Sequence, residues 1–416
     1  MTLRRGLARL VGAVMHSADR LVPKADLLVV RTVPDFDDQG SEFVSAWCAS
    51  YDVPVVWLVD DPDPALVPAG VHRVVSQYRQ RLRIVPIRSV RGYWAYLRAR
   101  VVVHTTGTHD PHTRSATKLF VNLWHGMPLK RLRTDAPAGR HQTDLLFATS
   151  PIHARHFEET WDLGPDTVVV SGLPRNDALL RASTRALPST LAAMTRGRPL
   201  VVWMPTFRAS VGKVARTDGH DYGNVFQMPD LEVRAVAAEF DRLGLHVLVK
   251  PHPSAPAPEP VDLPGLTLWR DEEVRRSGLS LYEILGHSRC LLTDHSSVWV
   301  DYLLLQRPIV FTIADLEAYS GSRGHYFTPL EEYLPGPVAT SLSGLSALLE
   351  KLDELDRSWA PSRADALALH HTHVDAGSAQ RAVRVTAERA GLVSGRARAP
   401  AGPRSRHNGR SRPRSG

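Results

Sequence analysis

The sequence predicts an α/β protein built from two Rossmann-like domains that face each other across a cleft. Short runs of β-branched and apolar residues alternate with stretches long enough for helices, which is typical of parallel βαβ units with both sheet faces covered. This alternation occurs in two consecutive series, with a boundary near residues 185–198. The length of 416 residues also fits two domains better than one.

The individual elements follow from these two series. The first series predicts strands at Leu27–Val30, Val53–Val59, Val101–His104, Asp144–Ala148 and Thr167–Ser171. The second predicts strands at Leu200–Met204, Val247–Lys250, Cys290–Thr293 and Pro308–Thr312. Helices are predicted at Asp230–Leu243 and Ser296–Leu305. We therefore expect one Rossmann-like domain over residues 25–190 and a second over residues 191–390.

The two ends of the chain are basic. Residues 1–24 combine leucines and valines at helical spacing with several arginines, which predicts a basic amphipathic helix that ends near Pro23. Such a helix either lies on an anionic membrane or packs on its own domain. Residues 391–416 are expected to be a disordered, arginine-rich tail. Seven arginines and no acid lie in residues 394–416, so the rest of the chain is near +1 of the formal net charge of +8.

Composition excludes several classes of protein. A content of 43% hydrophobic and 23% charged residues indicates a globular chain, and no apolar run approaches the roughly 18 residues of a membrane-spanning helix. The two cysteines, Cys48 and Cys290, exclude a disulfide framework and fit a reducing cytoplasm. The sequence has no P-loop and no G-x-G-x-x-G motif, which argues against an ATPase and a dinucleotide-dependent oxidoreductase.

In the second series, polar residues follow two predicted strands, where ligands bind in open α/β sheets. Asp294, Ser296 and Ser297 come between a strand and a helix, so Asp294 or Ser296 is expected to cap the helix and the serines to bind phosphate. An ordinary helix cap is the alternative. Lys250 and His252 follow the preceding strand, with prolines on both sides of the histidine, and are expected to contact phosphate.

In the first series, Trp124, His125 and Gly126 occupy a break between a strand and a loop. The glycine allows a close approach of the backbone, and a histidine has a pKa suited to accepting a proton from an alcohol. The sequence thus suggests a base on the first domain facing a phosphate site on the second.

Two further groups of residues are weaker candidates for metal binding. The first group does not match a standard zinc spacing, and the second lies in a proline-rich turn where acids are ordinary turn formers. The groups are His104, His109, Asp110 and His112, and Asp60, Asp61 and Asp63. No metal site and no cofactor are therefore expected.

The motifs occur together in an order that resembles the CDP-glycerol glycerophosphotransferase family of teichoic acid primases and polymerases. The resemblance starts at Trp124–Lys130 and continues through Gly172–Asp177, Met204–Arg208, Pro251–Pro253 and Thr293–Ser297. It extends through Asp315–Tyr319 to Asp375–Ser378 and covers residues 26–390. Met127 and His295 depart from the threonine and tyrosine that are usual in the family.

The resemblance implies a fold of the GT-B type, with the acceptor on the first domain, CDP on the second, and a C-terminal helix that packs back on the first. It implies that His125 is the general base and that His252, Ser296 and Ser297 bind the donor phosphates. The remaining expected site residues fall into two groups. On the donor side they are Arg208, Lys250, Asp294, Asp315 and Glu317, and on the acceptor side Trp124, Gly126 and Lys130.

The expected activity is transfer of glycerol phosphate, or a related polyol phosphate, from a CDP-alditol to a lipid-linked or polymer hydroxyl. Residues 1–24 and 394–416 are expected to bind an anionic membrane, which would place the protein at the inner face of the cell membrane. The alternative within enzymes is a GT-B glycosyltransferase that uses a nucleotide sugar. Nucleic-acid binding is suggested by the tail and the pI of about 9.7 but disfavoured by the near-neutral remainder of the chain.

Overall fold

The computed structural model describes residues 15, 17–63, 67–109, 115–134, 139, 141–208, 218–253, 255, 258–322 and 324–392. Most of the predicted N-terminal helix and the predicted tail from residue 393 onward lie outside these described residues. Among the described residues, no helix is both long and apolar enough to cross a membrane.

The first domain is built on a sheet of seven parallel strands. Their order across the sheet is β3-β2-β1-β4-β5-β6-β7. The strands are β1 (Ala25–Arg31), β2 (Val55–Val59), β3 (Leu82–Pro86), β4 (Ala99–His104), β5 (Leu119–Asn122), β6 (Leu145–Ala148) and β7 (Val168–Val170). Its helices are α1 (Asp38–Ser50), α2 (Ala69–Gln77), α3 (Val90–Arg98), α4 (Pro151–Trp161) and α5 (Arg175–Ser183).

The second domain follows α6 (Ser189–Thr195), which lies in the predicted boundary region. Its strand order is β10-β11-β9-β8-β12-β13-β14, and all neighbours are parallel except β10 and β11. The strands are β8 (Leu200–Met204), β9 (His246–Val249), β10 (Val261–Leu263), β11 (Leu266–Leu268), β12 (Cys290–Thr293), β13 (Ile309–Thr312) and β14 (Val338–Ala339).

The helices of the second domain cover its sheet and then return to the first domain. They are α7 (Val233–Arg242), α8 (Asp271–Arg276), α9 (Leu281–His287), α10 (Val298–Tyr302), α11 (Leu316–Ser322), α12 (Leu342–Glu350), α13 (Leu352–Ser358), α14 (Ala360–His370) and α15 (Ser378–Arg389). Ala382, Val383 and Ala387 of α15 are buried in the core of the first domain, where α15 contacts α1 and α5.

The two domains share an apolar core, which fixes the cleft between them. Leu179 of α5 belongs to the same buried cluster as Leu285 of α9 and Trp299 of α10. Gly286 makes this contact possible, because a Cβ atom there would lie 2.6 Å from both the Ala182 Cβ and the Leu179 carbonyl oxygen. The predicted arrangement of two Rossmann-like domains facing a cleft is confirmed.

All the predicted strands are present, with ends shifted by two residues or fewer. The strands that were not predicted are short or carry charged residues. Arginine interrupts the apolar pattern of β3, an edge strand, and the others contain four residues or fewer. Such strands carry too little periodicity to separate them from loops.

Candidate active site

A cavity of about 1010 Å³ lies between the domains, at the carboxyl ends of both sheets. Loops that follow β5, β8, β9 and β12 line it, so motifs that are far apart in the sequence meet in one place. This is the edge where open α/β sheets bind their ligands.

The loop after β5 is held in an uncommon backbone conformation. Trp124 has a φ of 55°, and its backbone N–H donates to the Asn122 side-chain oxygen at 3.0 Å. The Trp124 ring packs against Trp161 of α4, with ring centroids 4.8 Å apart, and lies 4.1 Å from the His125 ring. A non-glycine residue with positive φ is uncommon, so packing and hydrogen bonding together fix the position of His125.

Gly126 brings this loop into contact with the second domain. Its φ is 145°, and a Cβ atom at this position would lie 2.5 Å from the Ser297 side-chain oxygen. No other residue fits this combination of backbone angle and space without a shift. The loop that carries His125 and the loop that carries Ser297 therefore meet at a single glycine.

His125 is exposed to the cavity while protein surrounds it on both sides of the cleft. Desolvation by this surrounding protein, followed by the charges of Arg175 and Lys130, lowers the pKa of His125 to about 4. A hydrogen bond to the Thr105 backbone acts in the opposite direction. His125 is therefore neutral near pH 7, which is the form that accepts a proton.

His252 faces the same cavity from the loop after β9. Its ring lies 4.7 Å from the Phe207 ring and is half-buried. Burial, then the charges of Lys130, Lys250 and His125, lowers the pKa of His252 to about 4. His252 was predicted to contact phosphate more strongly when protonated. In the free protein it is neutral near pH 7, so the protonated form requires the bound donor, whose anionic phosphates stabilise the imidazolium form.

Lys250 lines the cavity with its ammonium group held in place. Its Nζ forms an ion pair with the Asp271 carboxylate at 2.8 Å and donates to the Pro251 carbonyl oxygen at 2.9 Å. The side chain is buried. Lys250 thus presents a fixed positive charge next to His252.

Ser296 and Ser297 line the cavity at the start of α10. The predicted helix over Ser296–Leu305 is shorter than expected, with α10 followed by a 3₁₀ turn at Leu303–Leu305. The Ser296 hydroxyl accepts from the Val298 N–H at 3.4 Å. Because the helix is short, the two hydroxyls and nearby backbone N–H groups are the main features available to a phosphate here.

Three residues predicted on the donor side lie behind the cavity wall instead of lining it. Arg208, Asp294 and Asp315 form a fully buried ion network, with the Arg208 Nε 2.6 Å from Asp315 and its Nη1 2.9 Å from Asp294. Asp294 accepts from the Thr206 N–H and hydroxyl and does not cap α10, whereas Ser296, the other predicted cap, accepts from the Val298 N–H at the start of the helix. None of the three is among the described residues that line the cavity.

The buried network of Arg208, Asp294 and Asp315 holds a residue of the cavity wall in place. Although burial acts to raise it, hydrogen bonds from His295 and Arg208 hold the pKa of Asp315 well below its usual range. The ionised carboxylates thereby fix Thr206, which does line the cavity. Glu317, also predicted on the donor side, is exposed on α11 and lies away from the described cavity lining.

Lys130, predicted on the acceptor side, lies at the junction of the two domains. Its Nζ is 5.6 Å from the Tyr319 ring centroid, and its backbone pairs with His325. Because its charge lowers the pKa of both His125 and His252, Lys130 adds positive charge between the two histidines.

Sequence reasoning assigned no role to Arg175, which joins the two domains behind the site. One nitrogen of its guanidinium donates to the Asp301 carboxylate at 2.5 Å, and another to the His125 carbonyl oxygen at 3.1 Å. The guanidinium also stacks on the Tyr282 ring, whose hydroxyl donates to Asp301 at 2.6 Å. Arg175 lies within the Gly172–Asp177 motif, but only the fold shows that it meets Asp301.

Asp37 and Asp38 also line the cavity and were not predicted. Asp37 caps α1 through the Gly40 N–H at 2.8 Å, and Asp38 accepts from the Tyr282 N–H at 3.0 Å. Burial raises the pKa of Asp37 to about 7 and that of Asp38 to about 6. The predicted strand before them ends at Val30, too far along the chain from Asp37 for the two residues to be recognised as following a strand.

The candidate metal groups have structural partners in the described part of the chain. His104 uses both ring nitrogens, one towards the Gln142 carbonyl oxygen at 2.6 Å and one towards the Gly107 N–H at 2.9 Å. Asp60 pairs with Arg31, and Asp61 accepts from the Asp63 N–H in a turn. The described residues contain no cluster of three potential ligands, and Asp110 and His112 lie outside them.

The two departures from the family motifs are both buried. His295 stacks on Tyr319 with ring centroids 3.7 Å apart, next to Asp315, and is not among the described cavity residues. Met127 is 2% exposed at the cavity wall, and its sulfur accepts from the Thr149 N–H at 3.4 Å. Of the two, only Met127 is placed where it can touch a ligand.

Two Rossmann-like domains whose shared cleft is lined by two histidines, two lysines and a pair of serines suit a transferase that binds a phosphorylated donor between the domains. A match to one protein family identifies the kind of transferase. Residues 27–388 match the family described as CDP-glycerol:poly(glycerophosphate) glycerophosphotransferase, and the chain belongs to that family.

Curated relatives carry teichoic acid names. The chain is 27% identical to a teichoic acid poly(glycerol phosphate) polymerase of Staphylococcus epidermidis, over 78% of this chain and 44% of the relative. It is 23% identical to a teichoic acid glycerol-phosphate transferase of Staphylococcus aureus, over 66% and 72%, respectively. A teichoic acid ribitol-phosphate primase of Bacillus spizizenii is 27% identical over 57% of each chain. The chain thus spans less than half of the first of these relatives.

Solved structures of the wall teichoic acid polymerase TagF share the fold. One superposes with a TM-score of 0.71 at 20% identity, covering 94% of this chain and 98% of the TagF chain. A second TagF structure gives a TM-score of 0.69 over the same share of both chains. The similarity extends over both domains.

Proposed function

We propose that this protein transfers glycerol phosphate, or a related polyol phosphate, from a CDP-alditol to a hydroxyl group of a lipid-linked or polymeric acceptor. The observation that carries the proposal is the contact between the His125 loop and the Ser297 loop at Gly126. It brings the loop that carries the neutral His125 imidazole against the loop that carries Ser297, which supports the roles of base and phosphate ligand that we propose for them. Family membership and the teichoic acid relatives support the same activity.

The proposed step is a direct displacement at phosphorus. The acceptor hydroxyl attacks the β-phosphorus of the CDP-alditol, a new P–O bond forms, and the bond to the CMP oxygen breaks. The hydroxyl proton passes to a ring nitrogen of His125, and CMP leaves with the electron pair. Such a reaction needs mainly orientation and stabilisation of phosphate charge.

The charge on the donor is balanced by groups fixed in the cavity wall. Lys250, Lys130 and a His252 that gains a proton as the anion binds supply positive charge, and Ser296 and Ser297 supply hydroxyl donors. We propose that these groups take the place of a metal ion, so that transfer requires no cofactor. Activity that is unchanged by a chelator would support this point, and activity lost with the chelator and restored by Mg²⁺ would contradict it.

CMP release from a panel of CDP-alditols, with and without a lipid-linked acceptor, tests the proposed function. Release with CDP-glycerol or CDP-ribitol that depends on the acceptor is expected. Titration calorimetry with CDP, UDP and GDP separates this activity from that of a nucleotide-sugar glycosyltransferase. CDP should bind most tightly, and preference for UDP or GDP together with no CMP release would overturn the proposal.

We further propose that the protein works at the inner face of the cell membrane, where a lipid-linked acceptor would be reached. The basic residues of 1–24 and 394–416 support this location, since each Lys or Arg close to an anionic surface contributes about 1 kcal/mol. Binding to anionic vesicles that weakens steeply with salt is expected. Binding that is indifferent to salt would contradict an electrostatic attachment.

A further inference from the structure

A second cavity, of about 330 Å³, lies in the first domain at the carboxyl ends of β1, β2, β3 and β4. Most of its described lining residues end these strands or follow them closely, and α3 contributes one more. The residues of its wall that can carry charge or form hydrogen bonds include Arg31, Asp60, Arg88, Tyr93, Thr106 and His109. None of them has a role in the proposed transfer step.

The second cavity lies at the switch point of the first sheet. From β1 the chain runs outward through β2 to β3, and from β4 it runs the opposite way through β5 to β7. The loops after β1 and β4 therefore diverge and leave a crevice, which is where open α/β sheets bind ligands. Val33 after β1 and Thr106 after β4 line this crevice.

Arg88 supplies the positive charge in the second cavity that no protein group neutralises. Arg31, at the end of β1, is buried and paired with Asp35 at 2.6 Å and with Asp60. Asp60, the acid of the cavity wall, is thereby already engaged. The Arg88 guanidinium is exposed and forms no ion pair or hydrogen bond within the described part of the chain. It is therefore free to pair with an anion.

Uncharged hydrogen-bonding groups surround Arg88. The Tyr93 ring stacks on the His109 ring, with centroids 4.4 Å apart. The hydroxyl groups of Tyr93 and Thr106 have no hydrogen-bond partner among the described residues, and neither has the buried His109 Nε2. An arginine together with hydroxyl groups that lack protein partners suits a ligand with negative charge and several acceptor oxygens.

The second cavity adjoins the active-site cleft beside His125. Val33 and Thr106 line both cavities. The His125 ring is hydrogen-bonded to the backbone of Thr105, the residue before Thr106. A molecule whose hydroxyl reaches His125 can therefore extend past Thr106 into the second cavity.

The second cavity is separate from the proposed donor site. The groups proposed to bind the donor phosphates include His252, Ser296 and Ser297, which follow β9 and β12 of the second domain. Every described residue of the second cavity belongs to the first domain. An anion bound there is consequently a part of the acceptor.

We propose that the second cavity binds the phosphodiester that precedes the terminal alditol of the acceptor chain. This inference rests on the proposed function, in which the hydroxyl of that alditol gives its proton to His125. In a polyol phosphate chain, the attacking hydroxyl and this phosphodiester are separated only by the carbons of one alditol. Arg88 neutralises the phosphodiester, and Tyr93 and Thr106 donate to its oxygens. The protein thus selects an acceptor that already carries an alditol phosphate unit.

Calorimetric titration of the full chain with a short glycerol phosphate oligomer, without donor, tests this subsite. A counterpart carries an uncharged methylphosphonate in place of the phosphodiester next to the terminal glycerol. The unchanged protein should bind the oligomer at least about tenfold more tightly than the counterpart, because hydrogen bonds to a charged group are the stronger ones.

Arg88→Gln should weaken binding of the oligomer by about tenfold and leave binding of the counterpart unchanged. Arg83→Gln is the matched control, since Arg83 on β3 is also exposed but lies outside the described lining of both cavities. The control should bind the oligomer like the unchanged protein.

CMP release separates the subsite from the rest of the active site. Two lipid-linked acceptors are compared, one with a terminal alditol phosphate unit and one without. Arg88→Gln should raise KM for the first by about tenfold, with kcat nearly unchanged, and leave KM for the second unchanged. Tyr93→Phe, which keeps the ring on His109, should raise KM for the first by about threefold. CDP should bind both variants as it binds the unchanged protein.

Three results would overturn the subsite. Equal binding of the oligomer to Arg88→Gln and Arg83→Gln would show that Arg88 does not contact it. An equal rise in KM for both lipid-linked acceptors would assign the second cavity to a phosphate of the lipid carrier. Weaker binding of CDP to Arg88→Gln would assign the second cavity to the donor. The proposed function fails separately, if the unchanged protein binds the oligomer through Arg88 but releases no CMP from any CDP-alditol.

Discussion

Two buried arginines, Arg175 and Arg208, flank the cleft with similar partners and different consequences. Each pairs with aspartate and stacks on a tyrosine, Arg175 on Tyr282 and Arg208 on Tyr319. Arg208 joins strand ends within the second domain, whereas Arg175 links the first domain to the second and holds the carbonyl group of His125. Arginines with equal burial and pairing are therefore expected to differ in effect, Arg208 supporting stability and Arg175 the alignment of the site.

Replacement of Arg208 should produce the largest loss of stability. In Arg208→Met, Asp294 and Asp315 remain buried without their guanidinium partner, which is expected to cost about 3–5 kcal/mol of unfolding free energy. Urea denaturation measures this loss, and Arg234→Met, exposed on α7, is the control with an effect of about 0.5 kcal/mol or less. A loss below about 1 kcal/mol for Arg208→Met would show that the network does not support the fold.

Replacement of Arg175 should affect turnover more than stability. Arg175→Met leaves Asp301 hydrogen-bonded to the Tyr282 hydroxyl, but His125 loses the group that holds its carbonyl oxygen. A misplacement of about 1 Å at a reacting group costs about 100-fold in rate, and a drop of this size in kcat/KM for CMP release is expected. Tyr282→Phe, which retains Arg175, should keep near-normal kcat/KM. Equal losses of kcat/KM in Arg175→Met and Tyr282→Phe would contradict a specific role of Arg175 in positioning His125.

The contact between the domains at Gly126 can be tested by a double-mutant cycle. Gly126→Ala should lower the unfolding free energy by about 1–3 kcal/mol, because of the backbone angle and the overlap with Ser297. Ser297→Ala removes the overlapping oxygen, so the double variant should be less destabilised than the sum of the single variants. Strict additivity would indicate that the two loops do not touch.

A third contact between the domains joins two uncharged histidines, and the stability that it provides should depend on pH. His153 of α4 and His370 of α14 are hydrogen-bonded at 2.9 Å and buried, and burial lowers the pKa of His370 to about 3. The unfolded chain, with a histidine pKa near 6.5, binds more protons than the folded chain below that value. Stability due to this group is therefore complete above about pH 6.5 and decreases as pH falls towards 3.

The size of this effect follows from the same pKa difference. Between pH 6.5 and pH 5, His370 should contribute a loss of about 2 kcal/mol in unfolding free energy, measured by urea denaturation at each pH. His370→Leu should reduce the loss by that amount, while Leu369→Ala, a change of an uncharged residue on the same helix, should leave the pH dependence unchanged. An unchanged pH dependence in His370→Leu would contradict the assignment.

The sequence predicted the fold well because the buried parallel strands are nearly continuous apolar runs. The edge strand β3 was not predicted, since Arg83 interrupts its apolar pattern. The positions of His125 and His252 at the cleft could be predicted because glycine and proline mark their loops. The positions of Arg208 and Asp294 were predicted incorrectly, since a motif shows which residue types occur together but not which of them face solvent.

Residues that act across the domain interface could not be predicted in the same way. Arg175 meets Asp301 over a separation of 126 residues, and the sequence gives no signal for that contact. Asp37 and Asp38 follow an unremarkable turn and become cavity residues only because the second domain closes over them.

The central claim is that His125 accepts the proton of the acceptor hydroxyl at a donor site formed mainly by the second domain. The most direct measurement is CMP release by His125→Ala, accompanied by calorimetric binding of CDP to the same variant. The account predicts that CMP release is abolished while CDP binding and folding persist, because the donor is held by the loops after β9 and β12. Near-normal CMP release by His125→Ala would contradict it.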